Sequence, residues 1–213
     1  MPSNPRLKLT YFDIKARAEP IRLALFIGDI DFEDERITFE QFKDVKPSLP
    51  FGQLPILKIN DDLVLTQSSA IARYCAKLAK LYPDDSLQAA KVDEFIGACD
   101  DFSEEISKSI HVEHEQKQKM RHEFSNNFYP RWLNYIEKLL SQNRFDYCVG
   151  DSLTLADLYL YTHMDYLVSG ILEQVPGDLA CKKEQIRKHF DMIKSNKKIC
   201  QWNDKHASKS PQI

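Results

Sequence analysis

Leu7, Leu9 and Tyr11 alternate with Lys8, Thr10 and Phe12. A period of two predicts a half-buried strand over Arg6–Phe12. Glu19-Pro20 then opens a helix, because a proline in the first turn lacks only an N–H that would have had no partner. Ile21, Ala24, Leu25 and Gly28 recur at helical spacing, with Gly28 the expected stop. Phe32–Ile37 reads as a weaker second strand, so strand, helix and strand predict a parallel pair with a right-handed crossover. Phe39–Pro50 shows neither period and is expected to be irregular. Pro55–Ile59 and Leu63–Thr66 flank Asn60-Asp61-Asp62, which suits a tight hairpin turn. Ser68–Leu81 places Ile71, Tyr74, Cys75, Leu78 and Ala79 on one helical face.

The order βαβ–ββα, about 80 residues long, is a thioredoxin-like arrangement. Tyr82–Ser86 has turn chemistry and reads as a linker. From Leu87 onward the strand pattern vanishes. Val92, Phe95, Ile96, Cys99, Phe102, Ile106 and Ile110 form one helical stripe, and Trp132, Tyr135, Ile136, Leu139 and Leu140 another. Thr154–Leu167, Lys183–Ile193 and Lys197–Lys205 read as further helices. The predicted class is therefore an α/β thioredoxin-like domain over 1–81, a linker over 82–86 and an all-α domain over 87–213. The tail His206–Ile213 is expected to fray or lie over the surface.

A chain of 213 residues with 43% hydrophobic and 29% charged positions is ordinary globular material, which excludes disorder as the main state. No apolar run approaches the roughly 20 residues of a membrane span. The opening MPSNPRLKLTYF has no apolar core of the signal-peptide kind, so a cytoplasmic protein is expected. The net charge of −3 offers no basic field for phosphate backbones, so no nucleic-acid partner is expected. The five cysteines are odd in number and form no CxxC pair, which fits free thiols in a reducing compartment rather than a disulfide framework or a metal site.

Several short motifs carry chemistry. In Gly52-Gln53-Leu54-Pro55 a proline directly before a strand can be cis, which would turn the Leu54 backbone toward an extended peptide; spacing alone favours an ordinary trans bond. Gln67-Ser68-Ser69 at a helix start suits a carboxylate, although plain capping is the better explanation of the pattern alone. Tyr11 ends the first strand with Arg17 shortly after it, a phenol and a guanidinium able to stabilise a thiolate, or else a half-buried tyrosine and a surface arginine. Asp100-Asp101 reads as a solvated face, and His111 and His114 as exposed helix residues too few to hold zinc. Gly150…Thr154…Asp157 has the form of a capping box.

Taken in order, these segments resemble the cytosolic glutathione S-transferases over nearly the whole chain. The resemblance lies in Leu9-Thr-Tyr11-Phe, Arg17-Ala-Glu-Pro-Ile-Arg22, Leu49-Pro-Phe-Gly-Gln-Leu-Pro55, Leu65-Thr-Gln67-Ser68-Ser-Ala-Ile-Ala-Arg-Tyr74 and the Gly150…Asp157 box. The first two look most like the sigma class. The resemblance implies an enzyme that binds glutathione as co-substrate, without a metal, stabilises its thiolate and conjugates it to hydrophobic electrophiles, with organic hydroperoxide reduction as a side activity. It implies Tyr11 on the sulfur, Arg17 as a second electrostatic contributor, and Leu54 before a cis Pro55, with Gln53 alongside, on the cysteinyl backbone. Gln67 and Ser68 would hold the γ-glutamyl carboxylate, and Lys46 and Phe42 the glycyl end. Asp101, with Asp100 beside it, would reach glutathione in the partner subunit of a homodimer, and Phe51 stands where related classes insert an aromatic residue into that partner. Phe12, Ser103, Ser107 and Lys108 would line the electrophile pocket.

Three departures stand out. Phe42 replaces a usual tryptophan and removes an indole donor. Lys15-Ala16 replaces a usual Arg-Gly, and since alanine does not take a positive φ as glycine does, a different bend is expected there. Lys108, with Ser103 and Ser107, stands where the prostaglandin D synthase branch has an aromatic residue, so a tailored prostaglandin pocket is not expected. The alternatives are a non-catalytic crystallin-like or carrier member and a glutathione-dependent isomerase. A thiol–disulfide reductase would need a cysteine near the first helix, and the first cysteine is Cys75.

Overall fold

A computed structural model of the chain describes residues 5–60 and 62–206. The chain divides into two units, one reaching to Tyr82 and including the segment from Lys197, the other Pro83–Asn196. In the first, β1 (Leu7–Phe12) sits inside a four-stranded sheet ordered β2-β1-β3-β4. β2 (Glu33–Ile37) runs parallel to β1, with Leu9 opposite Asp34. β3 (Ile56–Ile59) is antiparallel to β1, with Leu9 opposite Leu57, and pairs with β4 (Leu63–Thr66) in the expected hairpin. Leu7, Leu9 and Tyr11 are buried as the alternation requires. Thr10 is buried too, because its hydroxyl donates to Glu35 Oε2 at 2.7 Å.

α1 (Glu19–Ile27) and α3 (Ser68–Leu78) pack together. Gly28 is needed for that approach, since a Cβ there would stand 2.7 Å from the Ala79 Cβ. The inward face of α3 is Ile71, Ala72, Cys75 and Ala76, whereas Leu78, read as inward, is 39% exposed. The stretch expected to be irregular contains α2 (Phe39–Val45), followed by a 3-10 turn over Lys46–Ser48. A capping box starts it: the Gln41 N–H donates to Thr38 Oγ1 at 3.2 Å and the Thr38 N–H to Gln41 Oε1 at 2.8 Å. None of its residues is buried, so no apolar stripe betrays it.

The second unit begins with α4 (Ser86–Ser107), capped by Asp85, which accepts from the Gln88 N–H at 2.9 Å. Its predicted stripe is buried from Val92 to Ile106, but Ile110 lies past the helix end and is 43% exposed. α5 (His114–Glu123), a π-helical turn over Phe124–Phe128 and α6 (Tyr129–Gln142) follow. His111 lies in a bend rather than a helix, and His114 opens α5. In α6 the buried face is Trp132, Leu133, Ile136 and Leu140, while Tyr135 is 60% exposed, because the Trp132 indole turns in to donate to Ala98 O at 2.7 Å. α7 (Leu155–Val168) is buried on most of its surface, and α8 (Asp178–Cys181) and α9 (Glu184–Lys194) complete the unit.

The segment read as the last helix of the all-α part, α10 (Lys197–His206), packs instead on α1 in the first unit. Trp202 donates its indole N–H to Glu19 Oε1 at 2.7 Å and lies 5.2 Å from the Phe26 ring. The expected tail conformation after His206 and the Asp61 position of the hairpin turn lie outside the described residues. No helix among the described residues is long and apolar enough to cross a membrane.

Asp157, fully buried at the start of α7, accepts the Thr154 N–H and hydroxyl on Oδ2 at 2.7 and 2.9 Å. Its Oδ1 accepts the Cys148 N–H at 2.7 Å and His189 Nε2 at 2.9 Å. Asp157→Ala orphans these buried donors together. We expect a loss on the order of 3–5 kcal/mol in stability, read from urea unfolding.

Candidate active site

A groove of about 520 Å3 opens on the first unit. Phe12 enters it from the end of β1 and Arg17 from the 3-10 turn Ala16–Ala18. Phe42 and Lys46 come from α2 and the turn after it, and Phe51 through Pro55 from the loop before β3. Thr66, Gln67 and Ser68 close it between β4 and α3. Eight of the residues expected to hold the tripeptide or its sulfur (Arg17, Phe42, Lys46, Gln53, Leu54, Pro55, Gln67 and Ser68) thus line one cavity. The sequence reading gives no role to Thr66 and names Gly52 only as the start of the Gly52–Pro55 motif; both flank the residues expected to make contacts.

The local geometry explains how the loops are held. The Leu54–Pro55 bond is cis. Gly52 has φ +59, in the left-handed region that glycine tolerates. Gln67 has φ +69, an uncommon backbone state that often marks functional sites. α3 begins at Ser68 with no side-chain cap, so its first N–H groups remain open at the positive end of the helix. The serine expected to do ordinary capping therefore does not cap. Lys46 Nζ stands 5.8 Å from the Phe42 ring centre, and Phe42 meets Phe12 edge-on at 5.2 Å. Ala16 has φ +37, so the turn before Arg17 keeps a left-handed bend despite the alanine, contrary to expectation.

Tyr11 is 5% exposed and is not among the residues lining the groove. Its ring meets Phe12 at 5.4 Å and the Arg22 guanidinium at 5.8 Å. In the second unit Asp101 is exposed and Asp100 half-buried on α4. Ser103 shares a 2.9 Å hydrogen bond with His163 Nε2. His163 Nδ1 lies 2.8 Å from Tyr159 O and must carry the proton, so the serine hydroxyl donates. Ser107 donates to Glu104 O at 2.7 Å, and Lys108 pairs with Glu105.

Two further clusters in that unit have structural explanations. Cys148, Asp157 and His189 bring three metal-ligand types together in the core. Both Asp157 oxygens already accept two donors, which leaves no lone pair for an ion. A cavity of about 310 Å3 beside α4 and α5 is lined by Arg121, which turns to Ser109 Oγ at 3.3 Å and Glu173 O at 3.4 Å and so braces the 171–175 loop.

The comparisons with known proteins cover both units. Residues 7–77 match the glutathione S-transferase N-terminal domain and residues 100–206 the C-terminal domain. A class-mu 28 kDa glutathione S-transferase of Schistosoma mansoni is 35% identical over 191 residues, 88% of this chain and 89% of that protein. The structure of prostaglandin synthase D of Nilaparvata lugens is 30% identical and superposes with a TM-score of 0.84 over 98% of this chain and 100% of its own. The Fasciola hepatica sigma class transferase is 26% identical, with a TM-score of 0.83 and 99% coverage of each chain.

Three of the protein's five thiols are buried and held away from ionisation. Burial pushes the Cys75 thiol up to about 12. Burial, with Asp100 nearby, pushes Cys99 up, and burial with the Asp157 carboxylate pushes Cys148 well up. Cys181 is exposed and Cys200 half-buried. Ellman's reagent at neutral pH is expected to modify Cys181 and Cys200 in the folded protein, and the other three only after denaturation.

Proposed function

Because this chain belongs to the glutathione S-transferase family, we propose that its groove holds reduced glutathione and delivers the tripeptide's thiolate to hydrophobic electrophiles. The convergence of the expected contacts on one cavity supports this reading. The extended tripeptide lies along Leu54, its γ-glutamyl carboxylate on Gln67 and Ser68 at the open α3 terminus and its glycyl carboxylate toward Lys46. Gln53 borders the cysteinyl backbone. Phe42 supplies a ring surface without a hydrogen-bond donor, so Lys46 carries the glycyl end.

The Tyr11 hydroxyl donates to the sulfur, and Arg17 adds positive field. A free thiol titrates near 8.5, and each unit of lowering is about 1.36 kcal/mol of thiolate stabilisation. The thiolate is the attacking species. With 1-chloro-2,4-dinitrobenzene it forms the new carbon–sulfur bond as chloride leaves. Phe12, which lines the groove, borders the sulfur where the electrophile meets it. In this reading the enzyme is a cytoplasmic homodimer of sigma-like class, with Asp101 directed to glutathione in the partner subunit.

A second reading, a glutathione-dependent isomerase, is favoured by the likeness to a prostaglandin synthase. Product analysis with prostaglandin H2 separates the two: formation of a prostaglandin D product at rates rivalling conjugation supports the isomerase.

Tyr11→Phe is expected to move the apparent pKa of kcat/KM up by about one to two units, toward the free thiol. Conjugation should then fall roughly 10- to 100-fold at pH 6.5 and much less at pH 9, with glutathione binding nearly unchanged. An unaltered pH profile would overturn the role of Tyr11. Failure of the wild-type protein to bind immobilised glutathione or turn over the dinitrobenzene would overturn the transferase reading and leave a structural or carrier protein.

A further inference from the structure

Arg22, on α1, is fully buried, and its guanidinium is distributed over four acceptors. Nε donates to Asp34 Oδ1 at 3.0 Å and Nη1 to Glu19 Oε2 at 3.3 Å. The same fork donates to two main-chain carbonyls, Ile14 O at 2.7 Å from Nη1 and Phe12 O at 3.3 Å from Nη2. These carbonyls bracket Asp13, whose carboxylate accepts from Arg36 Nη1 at 2.8 Å. Arg36 in turn binds the second oxygen of Asp34 at 2.8 Å. Phe12, Asp13 and Ile14 are thus each held by an arginine.

The other end of the array is α10. Glu19 is 4% exposed, and its second oxygen accepts the Trp202 indole N–H at 2.7 Å. Trp202 is itself 3% exposed, and Lys198 pairs with Asp29 just past α1. The segment so held runs directly into Ala16, whose left-handed backbone is unfavourable for a residue with a Cβ and persists only where its surroundings over-determine it. Phe12 and Arg17, at the two ends of this segment, line the groove.

We infer that Trp202, Glu19, Arg22, Asp34 and Arg36 form a positioning array through which the C-terminal helix sets the Phe12–Arg17 segment, and with it the thiol side of the groove. None of the five is a catalytic residue. Removing the indole N–H leaves a buried carboxylate oxygen without its donor. Glu19 then re-pairs with Arg22, which draws the guanidinium away from the two carbonyls. The kinetic consequence rests on the glutathione reading; the conformational one does not.

Trp202→Phe keeps the ring and removes the donor. Hydrogen exchange followed by mass spectrometry is expected to show amides of residues 13–17 exchanging at least about fivefold faster, with the hairpin over residues 56–66 unchanged. Arg36→Lys keeps the charge but loses the fork, and cuts the array from its other end; it should loosen the same segment. With the dinitrobenzene assay, both variants should raise KM for glutathione several-fold more than they lower kcat. Unchanged exchange at 13–17 in folded variants overturns the inference, as does an equal rise in the hairpin, which would mean general destabilisation. If the wild-type protein lacks glutathione turnover, the transferase reading fails while the exchange experiment still decides the array.

Discussion

A guanidinium removed from water must find protein acceptors for its N–H groups, and at Arg22 that demand organises the first unit. Two acceptors are carboxylates, from the first residue of α1 and from β2. The other two are the carbonyls of Phe12, the last residue of β1, and of Ile14 in the connection to α1. One side chain thereby ties strand, helix and connecting loop. The loop needs the tie, because its left-handed alanine would otherwise relax. The pairs are hydrogen-bonded as well as ionic, which offsets the desolvation that makes an isolated buried ion costly.

The groove beside this loop draws on backbone as much as on side chains. It meets an uncapped helix start at Ser68, a glycine turn at Gly52 and a glutamine in a left-handed conformation at Gln67. None of these features brings a nucleophile. The deeply buried cysteines are raised away from ionisation, and no cysteine precedes Cys75. Nucleophilic chemistry in the groove therefore has to come from the bound thiol, and the protein's part is a field that favours its anion.

Much of this was legible before any coordinates. The period of two in β1, the Glu19-Pro20 helix start and the Thr154…Asp157 box each translate a local physical rule, and each appears where that rule puts it. What escaped had weaker local signals. α2 buries nothing and announced itself only through Thr38 and Gln41. Tyr135 and Ile110 fit a helical stripe yet point out, since helical spacing also recurs on exposed faces and beyond a helix end. α10 has an ordinary amphipathic pattern, and nothing in it names α1 as its support; a hydrogen bond spanning 183 positions is invisible to periodicity. Of the site, the loops around Pro55 and Ser68 were readable as motifs. Their meeting in one groove is a property of the sheet order.

The residues that line the groove all belong to the first unit, and separate stretches of it supply them: the end of β1 with the turn after it, the segment from Phe42 to Pro55, and the junction of β4 with α3. Ser103, Ser107 and Lys108 are engaged with His163, the Glu104 carbonyl and Glu105, contacts that leave the groove's own loops untouched. A prostaglandin synthase and a sigma class transferase share this architecture with the chain at 30% and 26% identity. That breadth is expected of one fold, because architecture does not dictate a single chemistry; the side chains set into its groove do.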